Sequence, residues 1–470
     1  MKFDDVAHER CDDVYAVWKS KLFDTERLRE IGRLILKHTD GLPEQLHAPK
    51  CGAYNVVLRM TFQNAKAVLI RFPIPAYAFE PEEKTLNEVA VLRFLEQHTS
   101  IPVPHVFHHG ITNDSLADMG PYIIMDYVTN KDDLTSALNT PGLTDEDRPM
   151  LDPNVSYDRL EFVYGQMAEI MLQLAKAEFS SIGSIEKANK EDEFDDEWVV
   201  KHRPLTMNMN ELVKVGNFPE DLLPTEAFKT ASSFYLSLAN LHLLHLSTQH
   251  NDAIYSAEDC RRKYIARCLF RRLAREGRLH DKSNEEGPFK LFCDDFRLAN
   301  VLANEQFQIT GAIDWEFTYA APTAFVYSPP FWLLIEKPEY WPEGLADWIE
   351  KFAKRLQIFL KVMKEKEDAA IARGVLQKRH RLSNHMIRSW ESGDFWISYA
   401  ARKSWAFDMI YWSKIDARYF GKGDLQDRLH LLTESERDAM DAFVQRKLAE
   451  KEERTLADWA DVDLQTYIVA

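Results

Sequence analysis

The 470-residue sequence has only five cysteines, no membrane-length apolar run, no internal repeat, no low-complexity block and no excess of basic residues. Each lack excludes something. Cys11, Cys51, Cys260, Cys268 and Cys293 are odd in number and scattered, which fits reduced thiols better than a disulfide framework. The best apolar candidate, FVYSPPFWLLI from Phe325, is broken by Pro329 and Pro330 and falls short of the roughly 18 residues needed to cross a bilayer. Lys and Arg number 58 against 75 Asp and Glu, a formal charge of −17, which argues against wrapping duplex nucleic acid or coating anionic membranes. The opening MKFDDVAHER has neither the apolar core of a signal peptide nor the basic character of a transit peptide, so the expected location is cytoplasmic. What is present is globular: 45% of the residues are hydrophobic and 28% charged, in a chain long enough to bury a large core.

Changes of hydrophobic period organise the chain. Residues 12–40 read as helix. From about 53 to 72 the pattern is a hairpin, YNVVLRMTF and AVLIRF around a polar turn at Gln63-Asn64-Ala65. A helix is expected from Thr85, then the proline-punctuated IPVPHVFHH and a strand, PYIIMDYV. After Lys131 helices are expected over 159–179, 225–248 and 259–278, with an acid-dense surface loop at 186–198 and short strands framing 290–315. The basic residues of 259–278 read as a solvated face, His242 and His245 as core histidines, and the last fifty residues as one amphipathic helix. The fold class is α+β: a helical extension over 1–49, a small β-rich lobe over 50–128, and a large, mainly helical lobe over 129–470.

The chemistry concentrates in KLFCDDFRLANVLANEQFQITGAIDWEF, from Lys290 to Phe317, with the catalytic loop expected over 290–316. Phosphoryl transfer needs a carboxylate to position the attacking hydroxyl and take its proton, and oxygen ligands to hold magnesium on the phosphates. Asp295, Asn300 and Asp314 supply those groups from neighbouring loop and strand ends: Asp295 as the base, Asn300 and Asp314 as metal ligands. Arg297 stands where it could neutralise charge on the transferred group. Turn chemistry alone also places Asp and Asn in such loops, but not with an Ile-Asp-Trp strand end at this spacing downstream of a β-lobe.

This segment resembles the catalytic signature of the aminoglycoside phosphotransferase-like, protein-kinase-like superfamily, in which His-Gly-Asp-x₄-Asn precedes Ile-Asp-Trp. With AIDWEFTYAAP and SPPFWLLIEKPEYW it is similar to a fungal branch of that superfamily, from about Lys50 to about Leu360. The resemblance implies a bilobal kinase fold, ATP and magnesium as cofactors, and a small-molecule hydroxyl as acceptor. Cys293 and Asp294 replace the His and Gly. Asp294 reads as a loop brace, a helper metal ligand or a group that raises the pKa of Asp295. In the small lobe the resemblance puts Arg71 at the strand cation that grips phosphates and pairs with a helix glutamate, Glu88. Against this, Arg71 could be a solvated strand end, and Thr85 to Glu88 fits a capping box. Gly52, Ala53, Tyr54 and Asn55, after Cys51, stand at the phosphate loop, and the backbone around Asp126 and Val128 at the adenine edge. The rival expectation is a kinase-fold protein that binds nucleotide or a partner without catalysis. The acids gathered at Asp294, Asp295, Asp314 and Glu316 could also welcome a cationic acceptor.

Overall fold

The computed structural model describes residues 1–112, 119–144, 147–189, 196–461 and 464–467. Two capped helices, α1 (Asp5–Leu22) and α2 (Thr25–His38), open the chain. The strands β1 (Pro43–Leu46), β2 (Lys50–Cys51), β3 (Asn55–Phe62) and β4 (Ala67–Pro73) follow, then α3 (Pro81–His98), β5 (Val106–Gly110) and β6 (Tyr122–Asp126). The strands form one antiparallel sheet in the order β1-β3-β4-β6-β5, with β2 beside β3.

Strict alternation sets what each face does. Val56, Leu58, Ile70 and Phe72 point to the outer face and pack with Trp18, Leu22, Ile31 and Ile35 of α1 and α2. The intervening positions, Val57, Leu69 and Arg71, therefore point the other way, into the space between the lobes. The first helices are thus the outer cover of the sheet, and residues 43–46, expected within a separate extension, form its edge strand. α1 also reaches the large lobe: Cys11 Sγ donates to Lys214 O at 3.2 Å, and the Asp4 N–H to Val215 O at 2.8 Å.

α3 begins at Pro81, a turn earlier than the expected Thr85. Thr85 is consequently interior, its hydroxyl donating to Pro81 O at 2.8 Å, and the capping box does not form.

The large lobe begins with β7 (Asp132–Asp133) and α4 (Tyr157–Leu174). The helix expected to run to 179 ends early, because β8 (Glu178–Phe179) pairs with the strand Phe289–Cys293. The expected loop at 186–198 is flanked by a hairpin, β9 (Ser184–Lys187) with β10 (Trp198–His202), and residues 190–195 lie outside the described residues. Next come α5 (Met207–Gly216), α6 (Ala231–Thr248) and α7 (Ala257–Arg275). The solvated face expected on α7 is only partial: Arg267 and Arg271 are buried and paired with Asp408 and Glu436. Among the described residues the last fifty hold two α-helices, Leu425–Leu429 and Glu434–Glu453, and two short 3-10 helices, Trp459–Asp461 and Leu464–Tyr467, in place of the one amphipathic helix expected; Phe443 of the longest packs on Tyr264 of α7 at 4.9 Å.

His242 and His245 are buried on α6. His242 Nε2 donates to Ala401 O at 3.2 Å, so Nδ1 is the acceptor for the Ser404 hydroxyl at 3.2 Å, and the ring is neutral. Burial drives His242 down to about 3 and holds His245 well below its usual value. Below about pH 6.5 the unfolded chain takes up protons that the folded chain refuses, so stability falls with acidity until the folded rings titrate. At pH 5 the loss from His242 is about 2 kcal/mol relative to pH 7.5, His245 adds to it in the same direction, and urea unfolding at both pH values measures the sum. His242→Gln is expected to flatten that slope.

Candidate active site

β11 (Phe289–Cys293) lies between β14 (Thr318–Ala321) and β8, and the turn leaving it delivers Asp294 and Asp295. A hairpin, β12 (Val301–Ala303) with β13 (Ile309–Ala312), returns the chain so that the Ile313 N–H donates to Asn300 O at 2.9 Å. Asp314 follows in a left-handed conformation, φ 60°, which Asp tolerates better than most residues.

Asn300 Nδ2 lies 2.9 Å from Asp295 O and 3.0 Å from its Oδ2. Both partners are acceptors, so the amide nitrogen must face Asp295, and Oδ1 is the end left for a cation. Arg297 Nε is 3.0 Å from Asp295 Oδ1, so in this state Arg297 pairs with the candidate base. Asp294 is committed elsewhere: Oδ1 accepts from Arg402 at 3.1 Å and Oδ2 from the Met207 N–H at 3.3 Å, at the start of α5. Of its three expected roles this favours the loop brace over the metal ligand. Cys293, in the position of the usual His, directs its thiol at Asp314 O, 4.0 Å away, so it still ties the two halves of the loop together, though weakly.

Arg71 and Glu88 form a buried pair, with Nη1 2.6 Å from Oε1. The same Nη1 is 2.9 Å from Asp314 Oδ1, and Nη2 is 2.8 Å from Glu316 Oε2. Glu316 also receives Lys84 Nζ at 3.0 Å and Asn55 Nδ2 at 2.9 Å. Its carboxylate thereby gathers the phosphate loop, the strand cation and α3 beside Asp314. Two cations face three carboxylates here, and the fields differ accordingly. Burial pushes Glu88 up to about 7 against the pull of Arg71, and burial likewise raises Asp314. Glu316, although buried, is held below its usual value by Lys84 and Arg71. A cluster with one surplus negative charge is a place where a divalent cation is welcome.

Arg71, Asp295, Arg297, Asp314 and Glu316 border a cleft of about 440 Å³ between the lobes, whereas Asn300 and Glu88 are buried behind that lining. Gly52, Ala53, Tyr54 and Asn55 line it, as do Asp126, Val128, Asp295, Arg297, Asp314 and Glu316. Val57 and Leu69 from the sheet and Leu302 and Ile313 from the large lobe supply apolar walls suited to a flat base. The Asp126 N–H is taken by His105 O at 2.9 Å, so Asp126 has no free amide for an adenine edge. Gly52 is not conformationally forced: a Cβ there would meet Asn55 O at 3.5 Å, an ordinary contact. Gly311 is forced, since a Cβ would lie 2.7 Å from Val128 and push it from the cleft.

Lys84, Asn87 and the apolar walls escaped the sequence reading. Lys84 reads as a surface residue in PEEK, and nothing local marks it as buried. Glu316 did carry a signal, as one of the acids gathered with Asp294, Asp295 and Asp314, but it is the left-handed Asp314 and the turn at Glu316, not strand alternation, that bring it to Arg71. Among the described residues no three His, Cys, Asp or Glu side chains converge as a metal site. Asp314 and the Oδ1 end of Asn300 are two oxygen donors near one another in the chain, a number that would suit magnesium, which keeps waters and substrate phosphates for the rest.

An antiparallel sheet whose strand cation pairs with a helix glutamate, joined by β6 to a helical lobe that carries the catalytic hairpin, is a bilobal, protein-kinase-like fold. No protein-family model matches the chain, and no curated protein matches it. Among solved structures it is similar to amicoumacin kinase in complex with AMP-PNP and Ca²⁺ (13% identity, 92% of this chain and 95% of that one, TM-score 0.39). It is also similar to a putative fructosamine-3-kinase from Thermobifida fusca (12%, 89% and 98%, TM-score 0.38) and to macrolide 2'-phosphotransferase type I (14%, 81% and 96%, TM-score 0.35). Likeness this distant says nothing of substrate or mechanism.

Proposed function

We propose that the protein is an ATP- and magnesium-dependent phosphotransferase acting on a hydroxyl of a small molecule. The observation that carries this reading is that Asp295, Asp314 and Arg71 line one interlobe cleft, with Asn300 buried behind Asp295 and Glu88 buried behind Arg71. Asp295 orients the acceptor hydroxyl and takes its proton as the oxygen bonds to the γ-phosphorus and the bond to the ADP oxygen breaks. Arg71, braced by Glu88 and Glu316, holds the phosphates, and Arg297 can swing from Asp295 to the transferring group. Magnesium, held by Asn300 and Asp314, supplies charge neutralisation on the phosphates when bound. The apolar walls exclude water and grip the base.

Calorimetric titration with ATP, with and without magnesium, tests the reading. Magnesium is expected to tighten binding about tenfold or more, and Asp314→Ala to remove that increment while leaving metal-free binding. Equal affinity with and without metal in the parent would sink it.

A further inference from the structure

A second cavity, about 130 Å³, lies beside the catalytic loop, and Arg297 lines both it and the nucleotide cleft. Thr135, Arg148, Lys337, Tyr340 and Glu336 complete its polar lining. On a chain of net charge −17, three cations and one carboxylate around one small cavity run against the background. The carboxylate is already used. Glu336 Oε1 accepts the Lys337 backbone N–H at 2.8 Å, and Oε2 accepts from Arg148 Nη1 at 3.2 Å. Arg148 stands over the Tyr340 ring, its guanidinium carbon 3.9 Å from the centroid, and its side chain is largely exposed, with one nitrogen given to Glu336. Lys337 forms no ion pair among the described residues; its ammonium stands 5.9 Å and 6.0 Å over the Phe331 and Tyr340 rings. Glu211 and Glu339 are close enough to act on Tyr340, but neither lines the cavity, and Glu339 accepts the Tyr399 hydroxyl at 2.7 Å.

Lys337 is thus the cation of this cavity without a carboxylate among the described residues, Arg148 keeps donors beyond the one given to Glu336, and Arg297 joins them when it leaves Asp295; such a set is complementary to an anion. We infer that this cavity receives a carboxylate or phosphate group of the acceptor, placing that molecule's hydroxyl at Asp295, so that the substrate is an anionic hydroxy compound. The inference rests on the phosphotransferase reading and gives its acceptor a chemical class. It departs from the cationic acceptor that the clustered acids suggested, because those acids are bound up with Arg71, Lys84, Arg297 and Arg402. The volume, near the roughly 150 Å³ that admits a benzene-sized guest, suits a small acidic group and a few carbons.

Protein saturated with AMP-PNP and magnesium is titrated calorimetrically with D-gluconate, with glycerol 3-phosphate and with choline, to about 10 mM. At least one anion is expected to bind saturably, and choline not to bind. Lys337→Gln is expected to weaken that anion about tenfold without changing AMP-PNP affinity. Which anion binds distinguishes carboxylate from phosphate recognition. Binding of choline alone, no binding by either anion, or a Lys337→Gln variant with parental affinity overturns the inference. If AMP-PNP itself fails to bind, the nucleotide reading fails, and the same titrations on free protein judge the cavity separately.

Discussion

Asp295→Asn is expected to lower turnover by about 10³-fold or more while ATP affinity stays within about threefold of the parent. The substitution keeps the side chain's shape and an oxygen toward Asn300 but removes the basicity that takes the hydroxyl proton. Nucleotide binding should survive, because the grip on phosphates comes from Arg71 and the metal ligands. Affinity should even tighten slightly, since a negative charge leaves the neighbourhood of the phosphates and Arg297 is released from its 3.0 Å contact. ATP consumption in the presence and absence of acceptor, set beside an AMP-PNP titration, separates the two effects. Undiminished turnover in the variant would remove Asp295 from the role of base. Equal loss of binding and turnover would point to a structural role.

Arg71→Met is expected to cost about 3–5 kcal/mol of stability, beyond any effect on nucleotide. Arg71 is 5% exposed and touches Glu88, Asp314 and Glu316 at once, so its removal leaves Lys84 to face three carboxylates. Much of the cost is the stranded charge and not the lost attraction, which makes the outcome non-additive: adding Glu88→Gln should recover part of it. Arg71→Lys keeps the charge but lacks the fork that spans Nη1 and Nη2, and should fall between. Urea unfolding of the parent, Arg71→Met, Glu88→Gln and the double variant measures the cycle, with Arg71→Lys beside it. A single variant within about 1 kcal/mol of the parent would mean that the cluster is not the buried hub its distances describe.

The parts of this site legible in the sequence are those set by short spacing. Asp295, Asn300 and Asp314 sit on one loop and one hairpin, where local pattern nearly dictates proximity. Arg71 and Glu88 were harder, because their meeting depends on where α3 starts: a helix beginning at Thr85 would have turned Glu88 back on its own end, and one beginning at Pro81 turns it to the sheet. Lys84, Lys337 and Arg148 were beyond reach. Arg148 and Glu336 stand 188 residues apart and meet only through the packing of two separate segments of the large lobe. The outer face of the small lobe was missed for a related reason: the alternation in β3 and β4 announced a second buried face, but not that the chain's own first two helices cover it.

α1 gives the two lobes a second tether. One body joined to another at a single point keeps three rotations; joined at two separated points, it keeps one. With the Met125–Val128 link, the Asp4 and Cys11 contacts to α5, and the Glu316 contacts to Asn55, Arg71 and Lys84, the lobes are joined at three separated places, and no axis spares all of them. Turning the small lobe about the first two therefore strains the third, so any opening of the cleft has to begin by loosening the carboxylate cluster.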